Sequence, residues 1–340
     1  MSLSPSSSLA RVTIQDVAKR AGVSKASVSR FIGEDRGLLS ELIAGRIEQA
    51  INDLGYRPNQ MARGLKRGRT RLIGLLVADI RNPYSVAVMH GVETACRRHG
   101  YSLVVCNTGQ DDEQERQHLA ALQSYNVEGL IVNTLGHHLD QLQALQQALP
   151  LVLIDRKVPQ LTSDLVGLDN AGAVAQALEH LHQQGYADLA LVSEPQDGTS
   201  SRQERSDAFQ AWVAGQPTVT GRVLYTSDTF ADDLAQFLAQ PAPGRKALFC
   251  ANGTATLKCT QALRDHGCAL GSEVGLIALD DLDWLPLVGN GITALAQPTE
   301  LIGVTAFECL LARLRGDDGP PQVFDFPCQL ITRGSTRTTP

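Results

Sequence analysis

The residues best placed for chemistry are the polar ones that close short apolar runs. Asp79 with Asn82 and Tyr84, Asn133, Asp155 with Arg156, and Asp169 with Asn170 stand at such ends in one stretch of the chain. Asn252, Asp280 and Gln297 do so further on, and Arg202 and Arg205 open a helical stretch just after the run ending at Ser193. In open α/β sheets, ligands meet the protein at the carboxyl ends of strands. Guanidinium groups among carboxylates and amides provide the donors and acceptors that a polyhydroxylated or carboxylated ligand requires. Arg156, Arg202 and Arg205 in an otherwise acidic region point to an anionic ligand. No G-x-S-x-G, H-E-x-x-H, Walker A or G-x-G-x-x-G motif is present, so the chain reads as a binding protein with no enzymatic activity and no cofactor. His137-His138 lacks a further ligand at useful spacing and is expected in a surface loop, and Asp280-Asp281-Asp283 lacks the Gly and Glu of a calcium loop, so no metal is expected.

A second group of polar residues lies near the start of the chain. In VTIQDVAKRAGVSKASVSR, Thr13 caps a helix with Asp16 three residues on, Ala21-Gly22-Val23 breaks it, and Ser24 caps a second helix. Two short helices around a Gly-containing turn fit a helix-turn-helix, whose second helix enters the DNA major groove. Lys25 and Ala26 would then reach base edges, a guanine acceptor and a thymine methyl respectively, while Thr13, Ser24, Ser27 and Arg30 suit phosphate oxygens. A third helix from Ser40 carries Leu42, Ile43, Ile47, Ala50, Ile51 and Leu54 as its apolar stripe, and residues 33–39 form a polar loop.

Charge separates these two groups. Residues 1–71 carry 13 Lys and Arg against 6 Asp and Glu, net +7, whereas the remainder carries 17 against 30, net −13. A basic head suits a polyanion, and an acidic body discourages nonspecific contact with one. Seven cysteines without a C-x-x-C pair, an N-terminus without the features of a secretory signal, and apolar runs well short of bilayer length point to a cytoplasmic protein without a membrane segment. From Leu72, ten short Leu-, Val- and Ile-rich runs alternate with helical stretches at 85–99, 113–124, 171–184, 202–213, 254–266 and 299–314. Ten strands divide most simply into two doubly wound α/β lobes with a cleft between them.

VTIQDVAKRAGVSKASVSR followed by YRPNQMARGL resembles the DNA-binding head and hinge of the LacI/GalR family. The resemblance implies an all-α helix-turn-helix head and a two-lobed core like that of periplasmic binding proteins. The implied organisation is a tail at 1–10, a head at 11–57, a hinge helix and linker at 58–71, and a core at 72–340. One lobe takes 72–168 and 298–326, the other 169–297 and 327–333. It further implies that Asn59, Arg63, Leu65 and Lys66 meet operator DNA, with Leu65 wedged into the minor groove. Tyr84, Ser85, Arg205, Asn252, Asp280 and Gln297 match effector-lining positions. Three departures weaken that transfer locally: Gly253 follows Asn252 where an Asp is usual, IALDD replaces IGYDD, and Asp207 in RSDAF stands where a Gly normally sits. GEDRGLLSE, GLKRGRTRLIG and GHHLDQL resemble a branch of the family responsive to the sugar acid 2-ketogluconate.

These readings combine into a homodimeric repressor of transcription that binds double-stranded operator DNA and is released by a small anionic effector, a sugar acid. A solute-binding protein of transport would share the body but lacks a reason for the basic head, and a sugar-acid enzyme would need a catalytic motif. An apolar wedge opens a base step at a cost of a few kcal/mol, offset by the contacts that bending permits. Leu65→Ala is therefore expected to weaken operator binding sharply, measured by fluorescence anisotropy, while calorimetry finds effector affinity unchanged; equal losses in both would refute the hinge assignment.

Overall fold

The computed structural model describes residues 12–57 and 69–337. The segment 1–10 and the hinge positions Asn59, Arg63, Leu65 and Lys66 lie outside the described residues. The chain divides into two compact units, residues 1–70 and 71–340.

The first unit is a bundle of α1 (Ile14–Ala21), α2 (Lys25–Ile32) and α3 (Glu41–Leu54). Thr13 and Asp16 form a reciprocal capping box on α1, and Ser24 accepts from the Ser27 N–H to start α2. Such caps satisfy amides that an eight-residue helix leaves without partners. Gly22 and Gly55 end α1 and α3 with left-handed φ of 65° and 58°. Val17, Val28 and Ile47 are fully buried at the centre, with Phe31 and Ile51 packed against them. Two expectations fail here. Leu42 faces outward, 69% exposed, while Ile43 beside it packs against the core. Residues 33–39 are not a featureless loop: Glu34–Leu38 form a 3-10 turn, held where Arg36 lies 4.4 Å over the Phe31 ring and pairs with Glu48.

The second unit contains two six-stranded sheets. The first has the order β11-β5-β4-β3-β1-β2 and is parallel throughout; the second, β12-β10-β9-β8-β6-β7, is parallel except for its edge strand β12. Their strands are β1 (Leu72–Val77), β2 (Ser102–Asn107), β3 (Gly129–Val132), β4 (Leu151–Ile154), β5 (Asp164–Leu168) and β11 (Val323–Phe326), then β6 (Tyr186–Ser193), β7 (Thr220–Tyr225), β8 (Arg245–Cys250), β9 (Val274–Leu279), β10 (Thr293–Ala296) and β12 (Gln329–Ile331). Central strands such as β3 and β9 are buried at every residue, which is why they read as unbroken apolar runs. The chain passes between the sheets after β5, after β10 and between β11 and β12. Neither β11 nor β12 was expected from the sequence, since both are short and neither has a fully buried residue.

The covering helices are α4 (Pro83–Arg98), α5 (Asp112–Ser124), α6 (Leu139–Ala148), α7 (Asn170–Gln183), α8 (Ser200–Ala214), α9 (Phe230–Ala239), α10 (Gly253–Asp265) and α11 (Thr299–Leu314). α6 and α9 are additions to the helices read from sequence; each has ten residues and only two or three buried positions to signal it. His137 and His138 stand just before α6, and both bond Asp112, through its carboxylate and its carbonyl respectively. All seven cysteines are free thiols.

The closest helix pairing fixes the first lobe. A Cβ on Gly303 of α11 would stand 2.2 Å from the Val88 carbonyl oxygen, and one on Gly91 of α4 2.3 Å from that of Glu300. The two helices therefore touch backbone to backbone, and a methyl group at either site must push them apart. Overpacking of this kind costs about 1–3 kcal/mol. Gly303→Ala is expected to lower the unfolding free energy of the core by that much, read as a lower denaturant midpoint at an unchanged slope.

Candidate functional site

Strand order changes direction at β1 between β2 and β3 in the first sheet, and at β6 between β7 and β8 in the second. The strand ends at these switch points face one cavity of about 660 Å³, its open mouth included. The first lobe contributes Tyr84, Ser85, Gln110, Asn133, Asp155 and Arg156; the second contributes Glu194, Thr199, Arg202, Arg205, Asn252 and Asp280, and Gln297 lies at the crossing after β10. Eight of the residues expected at the ligand site, Tyr84, Ser85, Arg156, Arg202, Arg205, Asn252, Asp280 and Gln297, thus meet in one place. Asp169 is the exception. Its carboxylate caps α7, accepting from the Gly172 N–H at 2.9 Å, and it is not part of the cavity wall.

The strand-end turns carry local strain. Asp155 and Asp280 have φ of 63° and 81°, a region that L-residues with a side chain seldom occupy and that surrounding contacts must enforce. Asp280 is held by the Gly253 N–H at 3.1 Å and by Gln297 Nε2 at 2.6 Å. Burial pushes its carboxyl above the ordinary carboxylate range, against the opposing pull of Arg205 and the Gln297 bond. Burial also pushes the Tyr84 hydroxyl well up, with Asp155 adding to the effect.

The three arginines differ in their commitments. Arg205 donates to Asn170 Oδ1 at 2.8 Å and to the Ala251 carbonyl at 3.0 Å, and lies 3.6 Å from Asp155. Arg202 donates to the Pro195 carbonyl and to Gln110 Oε1, and pairs with Glu194 at 3.0 Å. The surplus positive charge expected here is therefore largely neutralised by Glu194 and Asp155. Arg156 stands apart: it is 7% exposed, its Nε and Nη1 have no hydrogen-bond partner, and Asp155 approaches Nε only to 3.8 Å. Ten buried side-chain polar atoms lack a partner among the described residues. Six of them line this one cavity: Tyr84 Oη, Asn133 Oδ1, Arg156 Nε and Nη1, Thr199 Oγ1 and Gln297 Oε1. Native proteins leave few such groups, so their concentration marks a surface shaped for a polar molecule.

The first turn of α8 links the lobes. Ser200 Oγ accepts from the Lys157 N–H at 2.7 Å, Ser201 Oγ donates to Asp155, Arg202 reaches Gln110, and Lys157 pairs with Glu204 at 2.6 Å. Sequence reading missed Gln110, Glu194, Thr199 and Ser201. Glu194 directly follows the Ser193 strand end, and Thr199 directly precedes a helix, so position relative to those elements was the available signal.

In the head unit, Lys25, Ala26 and Arg30 are exposed on α2, and Ser27 is half-buried. The Thr13 hydroxyl donates to Asp16 at 2.7 Å, and Ser24 and Ser27 share a hydroxyl contact at 3.0 Å. These hydroxyls serve the helix starts.

Residues 13–59 match the model for bacterial regulatory proteins of the lacI family, and residues 70–333 match the model for periplasmic binding proteins and the sugar binding domain of the LacI family. The chain belongs to the LacI family of transcriptional regulators, with a DNA-binding helix-turn-helix and a sugar-binding type of effector domain. It is 68% identical over 326 residues to the HTH-type transcriptional regulator PtxS of Pseudomonas aeruginosa, covering 96% of each chain. It is 64% identical to PtxS of Pseudomonas putida, covering 99% of each, and 39% identical to the regulator KdgR of Bacillus subtilis, covering 95% of this chain and 97% of that one. The fold is that of the lac repressor dimer bound to operator and the anti-inducer ONPF, with a TM-score of 0.80 at 22% identity, covering 96% of this chain and 99% of that one.

The buried Asp280 generates a pH-dependent prediction. Its folded-state pKa lies above the unfolded value of about 4, so the native state favours the proton. Stability from this group is fully present below that unfolded value and is lost as pH rises through the folded one. Asp280→Asn, with the Gln297 amide turned to present its free oxygen, is expected to raise the melting temperature at pH 8 and to have little effect near pH 4. A fall at pH 8 would show that the attraction of Arg205 outweighs burial.

Proposed function

We propose that the chain is a homodimeric, cytoplasmic repressor that leaves its operator when a sugar acid, 2-ketogluconate in the first instance, occupies the cleft. The observation that carries the effector class is the set of unsatisfied atoms. Arg156 offers two charged donors, Tyr84 and Thr199 offer hydroxyls, and Asn133 and Gln297 offer carbonyl oxygens. A carboxylate complements the first group, and sugar hydroxyls complement the others. The relatives named PtxS, at 64–68% identity, support the regulator role, and the lac repressor dimer on its operator supports a dimer on DNA. Among the described residues no helix is long and apolar enough to cross a membrane.

In this reading Lys25 and Ala26 read bases, Thr13, Ser24, Ser27 and Arg30 position the head on phosphates, and Asn59, Arg63, Leu65 and Lys66 complete the operator contact. Ligand in the cleft changes the lobe arrangement that α8 bridges. Couplings of about 1–3 kcal/mol would change operator affinity roughly 5- to 150-fold. Calorimetry of the full chain against 2-ketogluconate, gluconate, glucose and ribose, followed by anisotropy on DNA selected by the protein from a random pool, tests the proposal. Saturable binding of the acids with loss of DNA is expected; binding confined to glucose or ribose, or tighter DNA binding with the acid, would overturn it.

A further inference from the structure

The unsatisfied atoms of the cleft are not evenly distributed by chemistry. The Arg156 donors belong to the first lobe, in the turn after β4, and the Thr199 hydroxyl belongs to the second, at the start of α8. Thr199 occupies the N-cap position of a fifteen-residue helix yet makes no side-chain cap, and it is only 2% exposed. A threonine in that position ordinarily turns its oxygen back onto the helix amides. Here the hydroxyl remains free in the cavity wall, beside a helix start whose dipole favours negative charge. At the other part of the cavity, Asp280 is fully enclosed, and Asp155 opposes its ionisation. A second anion is disfavoured there, whereas the unpartnered Gln297 carbonyl oxygen is suited to a hydroxyl.

We propose that Arg156 and the Thr199 start of α8 form a carboxylate subsite on the seam between the lobes, which orients a sugar acid with its polyol end toward Asp280 and Gln297. The proposal rests on the sugar-acid reading and adds the polarity of the ligand and the residue that selects acids over neutral sugars. Arg202 and Arg205 do not supply this selection, because Glu194, Gln110, Asn170 and the Ala251 carbonyl already engage them. Arg156, which burial in the cavity wall deprives of solvent, regains its hydrogen bonds only from the ligand.

The test compares 2-ketogluconate with D-fructose, which carries a hydroxymethyl group in place of the carboxylate, by calorimetry on the full chain and on Arg156→Gln, Arg156→Lys and Thr199→Val. Charge-assisted hydrogen bonds of this kind correspond to roughly 10- to 150-fold in affinity. Wild type is expected to prefer the acid by at least that factor. Arg156→Gln should lose the preference by weakening acid binding alone, Arg156→Lys should retain part of it, and Thr199→Val should weaken the acid roughly tenfold without changing fructose. Arg156→Gln that binds acid and fructose equally less well, or binds the acid at wild-type strength, overturns the subsite while leaving the sugar-acid reading intact. A wild type that binds neither 2-ketogluconate nor gluconate overturns both.

Discussion

The guanidinium of Arg205 is the contact on which the cleft depends. From the second turn of α8 it ties Asn170 at the start of α7 to the Ala251 carbonyl after β8, and it faces Asp155 in the other lobe. Removing it would leave the Ala251 carbonyl and Asn170 Oδ1 without their donor and Asp155 without its facing charge, and breaking a buried ion pair in this way typically costs about 3–5 kcal/mol. The start of α7 and the end of β8 are thereby tied to α8, with the Asp155 turn facing the same charge. Arg205 therefore sets the geometry of the site before any ligand arrives, whereas Arg156, one loop away, has hydrogen-bonding capacity still to use.

Much of this arrangement was legible in the sequence because the signals were local. Thr13 with Asp16 and Ser24 with Ser27 announce their helices, and runs such as GLIVN and GLIALD announce buried parallel strands whose polar last residues enter the cleft. The failures occurred where the answer depends on a neighbour distant in sequence. Leu42 fits the helical periodicity of α3 but is exposed, because the packing of α1 and α2 selects Ile43, Ile47, Ala50 and Ile51 as the inward face. β11 is recognisable as a strand only because it pairs with β5, some 160 residues earlier.

The arginines show the same limit more sharply. All three line one cavity, but charge counting could not show which of them has hydrogen-bonding capacity to spare. The engagement of Arg202 by Glu194 and Gln110 joins residues 8 and 92 positions away. Asp169 failed for the opposite reason: its position at a strand end is common to cleft residues and helix caps alike, and the backbone of α7 claimed it.

The three crossings between the sheets lie side by side, and the Asp169 N–H donates to the Phe326 carbonyl at 2.9 Å, stitching two of them together. Parallel strips fastened to one another bend readily across their width but resist shear and torsion. A seam of this kind favours opening and closing of the cleft about one line over twisting of the lobes.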